Sequence, residues 1–139
     1  MQKEQFTPEN LNKATGNLVA HLGIKFLVVT SQKLVAKMPV DERTVQPLGI
    51  LHGGASVVLA ETLGSIGATL NVNDSQICVG LEINANHIKS AREGYVIGTA
   101  TPIHLGRSTH VWEIRITSED YEKLICISRI TMSILEKKK

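Results

Sequence analysis

Between Leu48 and Asn71 the sequence reads LGILHGGASVVLAETLGSIGATLN, a long apolar stretch opened by a histidine and a Gly-Gly pair and broken by one carboxylate, Glu61. No other segment restricts the fold as much. The run from Gly53 to Leu70 is too long for a strand, which seldom exceeds about ten residues. Good helix formers dominate it, so it is expected to be helical. A helix that is apolar on nearly every side is a buried one. Its 18 residues approach the length of a membrane span, but Glu61, Ser56, Thr62 and Ser65 interrupt the apolar surface, and a core helix is expected instead. Gly64 and Gly67 each weaken a helix by roughly 1 kcal/mol relative to Ala, which points to another backbone passing close by. Glu61 is the anomaly. In such surroundings a carboxylate is paired, protonated or used, unless the helix turns that side to solvent.

The rest of the chain supplies something to pack against this helix. Thr7, Pro8 and Glu9 stand as cap, first residue and first-turn acid of a short helix within residues 7–15, and a second turn of helix fits residues 17–21. Residues 24–30 and 33–40 form two strand-like runs joined by Ser31-Gln32, which reads as a hairpin. An irregular lead spans residues 41–49, and residues 71–75 make a polar turn. Four strand-like segments follow at 76–91, 94–106, 109–117 and 123–135. In the third of them Val111, Glu113, Arg115 and Thr117 alternate with Trp112, Ile114 and Ile116, the period of a sheet with one covered face. The links between these strands are short, so neighbours are antiparallel. The expected class is therefore α+β, a strongly curved antiparallel sheet of five or six strands with the long central helix on its concave face.

With 139 residues the chain has room for a single domain, residues 1–139. A net charge of +2, scattered basic residues and few aromatics weigh against a nucleic-acid partner. Cys78 and Cys126 sit in apolar runs and are expected to be reduced core residues, and the opening MQKEQFTPEN has no apolar leader segment. Both features suit a cytoplasmic protein that engages no membrane. The closing Lys137 to Lys139 read as a solvated tail. No His-x-x-x-His pair, paired cysteines or serine nucleophile elbow is present, so neither a metal nor a bound cofactor is expected.

The chemistry converges on the helix. Its first amides lack internal partners and carry about half a positive charge. His52-Gly53-Gly54 exposes them, so this is either an oxyanion site or only a tight turn capped by a histidine. Glu61 follows His52 by nine residues, which is about 900° of rotation and roughly 13 Å of rise. The two side chains thus project from opposite sides of the helix. If both are functional, the simplest arrangement is a two-fold dimer in which His52 of one subunit approaches Glu61 of the other. Ser65, four residues on, shares the face of Glu61 and is placed to bond the carboxylate or a water.

The segments QPLGILHGGASVVLAETLGS, VGLEINANHIKSAREG and TPIHLGRSTHVW together resemble the hotdog-fold acyl-CoA thioesterases of the 4-hydroxybenzoyl-CoA and phenylacetate-degradation type, over nearly all of residues 21–135. The resemblance implies that Glu61 acts as general base or nucleophile, with the Gly53 N–H and the Gln46 side chain polarising the thioester carbonyl, His52 orienting the thioester and Ser65 assisting the water. It also implies that Glu61 and Ser65 come from the subunit opposite Gln46, His52 and Gly53. Coenzyme A contacts are implied at Val79, Gly80, His87, Lys89, Ser90, Arg92, His104, Gly106 and Arg107, coenzyme A being part of the substrate and not a cofactor. Its phosphates call for cations and donors of this kind. The expected activity is hydrolysis of acyl-CoA thioesters, aromatic ones of the hydroxynaphthoyl or hydroxybenzoyl kind, with an acyl or aryl carrier protein as an alternative partner and a homodimer or homotetramer as the assembly. Phe6, Leu48, Leu51, Val57 and Val58 are expected to line the acyl pocket, while His21 and His110 are expected to be structural. Enoyl-thioester hydration and acyl-CoA sensing compete with this reading. The residues after His52 lack the proline-rich loop of the first, and the chain has no room for the DNA-binding domain of the second.

Overall fold

A computed structural model describes residues 3–138, and Lys139, the end of the expected solvated tail, lies outside them. The strands β1 (Lys25–Val29), β2 (Leu34–Pro39), β3 (Gln76–His87), β4 (Tyr95–Leu105), β5 (Thr109–Ser118) and β6 (Leu124–Glu136) form one antiparallel sheet in the order β1-β2-β4-β5-β6-β3. Three helices accompany it: α1 (Pro8–Lys13), α2 (Leu18–His21) and α3 (Gly53–Thr69). The first two begin as their sequences dictate. Thr7 Oγ1 accepts from the Asn10 N–H at 3.1 Å, and Asn17 Oδ1 accepts from the Ala20 N–H at 2.9 Å.

The sheet curves around α3, and the period-two pattern of β5 decides which residues meet it. His110, Trp112, Ile114 and Ile116 are buried on the helix side, while Val111, Glu113 and Arg115 face outward. Gly64 and Gly67 fit against this layer. A methyl at Gly64 would stand 2.5 Å from Ile130 Cγ2, and one at Gly67 would stand 2.6 Å from Trp112 Cη2. The close neighbours are thus large side chains of the sheet, not the second backbone expected from the glycines. The expectation of a helix buried all round is also corrected. Ala55, Ser56, Leu59, Ala60, Leu63, Gly64, Gly67 and Ala68 are buried, whereas Glu61 is exposed and Val57, Val58, Thr62, Ser65 and Ile66 are half-buried. Apolar content alone cannot register this difference, because the uncovered face is nearly as apolar as the covered one. Cys126 is buried and Cys78 only half-buried; both thiols are free.

The two edges of the sheet are treated differently. At β1 the side chain of Asn12 occupies the free edge: the Phe26 N–H donates to Asn12 Oδ1 at 2.7 Å and Asn12 Nδ2 donates to the Phe26 carbonyl at 3.1 Å. A pair of bonds of this kind blocks further strand addition there. The other edge, β3, is 12 residues long and pairs only with β6 among the described residues. Ile77, Val79 and Leu81 stand exposed along it, Leu81 at 65%. Among the described residues no helix is long and apolar enough to cross a membrane.

Candidate active site

The N-terminus of α3 is built by its cap and by the turn before it. The His52 N–H donates to the Thr44 carbonyl at 2.8 Å, anchoring the chain, and His52 Nδ1 accepts from the Gly54 N–H at 2.7 Å. The histidine is therefore a helix cap, one of the two roles open to it from sequence. Capping through Nδ1 puts the imidazole hydrogen on Nε2, so the exposed edge of the neutral ring is a donor. The Gly53 N–H, at the first position of the helix, has no acceptor among the described residues. It opens onto a cavity of about 320 Å³ bordered by Gln46, Gly53, Ser56, His87, Lys89 and Ser90.

Gly53 is small for a reason visible only in three dimensions. A methyl on it would lie 2.7 Å from His87 Nε2 and 2.9 Å from His87 Cε1, so the imidazole at the end of β3 rests on the glycine. Of the predicted trio, Gln46 and Gly53 thus come together with His87, Lys89 and Ser90, whereas His52 does not border the cavity and its ring lies against Gly54. Ser56, on the same cavity wall and 1% exposed, escaped the sequence reading. Its spacing of three from Gly53 on a helix was the available signal. Of the residues expected to line the acyl pocket, Leu51 borders this cavity. Leu48 projects into solvent, and Phe6 instead borders a separate cavity with Thr69 and Cys78. Phe6 is set there by the short turn at Lys3–Gln5, which a pattern of apolar residues does not reveal.

Glu61 sits elsewhere on α3, against the middle of β3. A methyl at Gly80 would come within 2.8 Å of Glu61 Oε2, so the carboxylate lies directly over the glycine. It borders a shallow depression of about 180 Å³ with Gly80, Leu81, Glu82, Ile83 and Ile130. No donor among the described residues bonds it. Ser65 does not do so: its Oγ is 4.0 Å from Met132 Sδ. The remaining predicted contacts divide in the same way. Val79 lies beside Gly80, with its side chain exposed on the outer face of the sheet. Thr109 pairs with Ser133 and Ser133 with Val79, which sets the turn containing Gly106 and Arg107 at this end of the sheet. The glycine at 106 leaves room for the ring of His104, and Arg92, His104 and Arg107 are all exposed.

Within one chain, then, the Gly53 group and the Glu61 carboxylate lie apart. They touch β3 at His87 and at Gly80, seven residues apart, and the helix separates Gly53 from Glu61 by about 12 Å. Among the described residues no group of three or more His, Cys, Asp or Glu side chains is arranged to hold a metal ion.

A central helix with a free first N–H and one bare carboxylate, wrapped by a six-stranded antiparallel sheet, is the hotdog arrangement of thioester hydrolases. The profile of the thioesterase superfamily matches residues 48–125, and the chain belongs to that superfamily. It is 52% identical over 134 residues to the 1,4-dihydroxy-2-naphthoyl-CoA hydrolase of Escherichia coli, covering 96% of this chain and 98% of that one. It is 46% identical over 134 residues to the proofreading thioesterase EntH of Cronobacter turicensis, covering 96% and 97%. The crystal structure of a Haemophilus influenzae thioesterase superposes with a TM-score of 0.90 at 48% identity, covering 96% of this chain and 94% of that one. The protein is an enzyme that hydrolyses thioesters.

Proposed function

We propose that the chain hydrolyses acyl-CoA thioesters, aromatic ones of the hydroxynaphthoyl or hydroxybenzoyl kind, at a site completed by two subunits in the cytoplasm. The observation that carries this reading is the long unpaired edge of β3, with Glu61 over Gly80 near its middle and Gly53 against His87 at its end. Antiparallel pairing of β3 with its own copy, centred on Asn84 so that Ile83 stands opposite Ala85, sets Gly80 opposite His87, because the bulge between Gly80 and Glu82 leaves Leu81 out of the register. Glu61, lying over Gly80, then meets the Gly53 and His87 end of the second subunit. The same pairing covers the exposed Leu81 and satisfies the free strand edge. A pair of such dimers makes the homotetramer expected from the family resemblance.

In this reading the thioester oxygen sits on the Gly53 N–H and the Gln46 amide, which stabilise the charge that develops on it. Glu61 takes a proton from water, the hydroxide adds to the carbonyl carbon, and the carbon–sulfur bond breaks. The thiolate of coenzyme A leaves and is protonated, and the acid is released. Attack by the carboxylate itself, giving a mixed anhydride that water then opens, uses the same residues. A single turnover in ¹⁸O-water identifies the second route when water opens the anhydride at the Glu61 carbonyl, because only then does label enter Glu61. His87, Lys89 and Ser90 border the pocket beside Gly53, and together with Arg92, His104 and Arg107 they supply donors for the phosphates of coenzyme A.

The test is turnover of a panel of hydroxynaphthoyl-, hydroxybenzoyl-, phenylacetyl- and fatty acyl-CoAs by the wild type and by Glu61→Ala. Loss of a base or nucleophile is expected to lower kcat by roughly 10²- to 10⁴-fold with the fold retained. Turnover unchanged in the variant sinks the role of Glu61. A flat response across the panel sinks the aromatic preference. The relationship to a proofreading thioesterase supports a second reading, hydrolysis of aryl thioesters on a carrier protein. A kcat/KM for a loaded carrier well above that for the same acyl group on coenzyme A favours it.

A further inference from the structure

The turn from Gln46 to Ile50 is closed by its own hydrogen bonds. The Gly49 N–H donates to the Gln46 carbonyl at 2.8 Å, and the Gln46 N–H donates to the Ile50 carbonyl at 2.9 Å. Pro47 occupies the second position of this four-residue turn, where its fixed φ suits a β-turn. Gly49 follows with φ of 80°, a value that favours glycine. A third bond runs from the Leu48 main-chain N–H to Gln46 Oε1. Its donor is a peptide N–H, which can only donate, so the side-chain oxygen and not the nitrogen has to face it. That settles which way the amide is turned. The Nε2 end has no acceptor among the described residues, and Gln46 borders the cavity that holds the free Gly53 N–H.

From this we infer that the Leu48 peptide N–H is a positioning group for the reaction: it holds the Gln46 amide in the one orientation that offers the cavity two hydrogens and no lone pair. The inference rests on the proposed role of Gln46 at the thioester carbonyl. An amide free to rotate would present its oxygen to the substrate oxygen part of the time, and two acceptors repel. With the oxygen already occupied by Leu48, the residue acts as a donor only. The neighbouring Leu48 side chain, 78% exposed, plays no part in this, which separates the backbone role from packing.

The experiment replaces the Leu48 N–H alone, by incorporating the α-hydroxy analogue of leucine so that an ester oxygen stands in its place, and compares this protein with Gln46→Ala and Gln46→Glu. Gln46→Ala is expected to lose roughly 10²-fold in kcat, the usual cost of one carbonyl donor. The ester is expected to lose roughly tenfold in kcat with KM within about twofold, since orientation and not binding is removed. Gln46→Glu keeps an acceptor for Leu48 but faces the cavity with a second oxygen. It should retain slow exchange of the Leu48 amide hydrogen while losing kcat, which ties the loss to the missing donor and not to a broken turn. Wild-type kcat in the ester beside an impaired Gln46→Ala overturns the positioning role and leaves the proposed function intact; wild-type kcat in Gln46→Ala overturns both. Amide hydrogen exchange on the wild type gives a measure independent of any variant's folding. Protection of the Leu48 N–H is expected, and exchange at the rate of an open loop contradicts the inference.

Discussion

The imidazole of His87 rests on the α-carbon of Gly53, so close that a methyl there would stand 2.7 Å from Nε2. This contact joins the last residue of β3 to the first residue of α3 and fixes the mouth of the cavity. Gly53→Ala forces the ring aside. Because His87 is exposed and its ring can swing away, the fold is expected to survive with Tm changed by only a few degrees. The cavity is not: kcat/KM should fall by roughly tenfold or more, as displacement of positioned groups does. Thermal unfolding and steady-state kinetics on the same preparation check this, and equal losses in stability and activity would refute the local effect.

Gly67 presents the opposite case. The atom that meets its missing side chain is Trp112 Cη2 at 2.6 Å, and Trp112 is fully buried in the core. Gly67→Ala gains helix propensity of about 1 kcal/mol, but overpacking a closed core costs about 1–3 kcal/mol. The ring has nowhere to go, so the clash is expected to win and chemical denaturation should show a net loss of stability. A stabilised variant would mean that β5 yields more easily than its burial suggests.

Stability should also fall in acid, through His110. Burial pushes its imidazole below the ordinary histidine value, and the nearby His104 adds to the effect. Its Nδ1 has no hydrogen-bond partner among the described residues. With the folded value depressed, the unfolded chain binds the proton more readily than the native one. The contribution of His110 is therefore fully present above the unfolded value, near 6.5, and is lost as pH falls through the lower folded value. Denaturation midpoints at pH 8 and at pH 5 should differ less for His110→Phe than for the wild type. Equal differences in the two proteins would remove His110 from the account of acid sensitivity.

Tyr121 carries a positive φ of 65° in the turn between β5 and β6, and its side chain is 59% exposed. A non-glycine residue in that region costs about 1–2 kcal/mol, and little packing is lost by removing this one. Tyr121→Gly is expected to stabilise the protein by roughly 1 kcal/mol, after allowing for the greater freedom of glycine in the unfolded chain. A lower denaturation midpoint in the variant would contradict this.

Much of the architecture was legible because it follows from period. The alternation through Val111 to Thr117 fixed a one-sided sheet, and the length of the run after His52 fixed a single helix for it to wrap. The separation of His52 from Glu61 was legible too, since counting residues on a helix gives both angle and rise. What the sequence could not carry are contacts between residues distant in the chain. Nothing near Asn12 announces that it closes the edge at Phe26, and nothing near Gly53 announces His87. Whether Glu61 faces the core or solvent stayed open in the sequence, because an uncovered apolar face has the same composition as a covered one. The Leu48 bond to Gln46 depends on side-chain geometry in a turn that the pattern of residues identifies only as irregular.

The shared site is tested most directly by complementation. Glu61→Ala and Gln46→Ala, each expected to be nearly inactive alone, are unfolded together, refolded as a mixture and assayed on an aromatic acyl-CoA. If Glu61 of one subunit serves Gln46 and Gly53 of the other, half of the randomly formed dimers hold one intact site, and activity should return to about a quarter of wild type. If the mixture shows only the average of the two separate variants while refolded wild type recovers fully, the carboxylate and the electrophilic groups do not work across subunits.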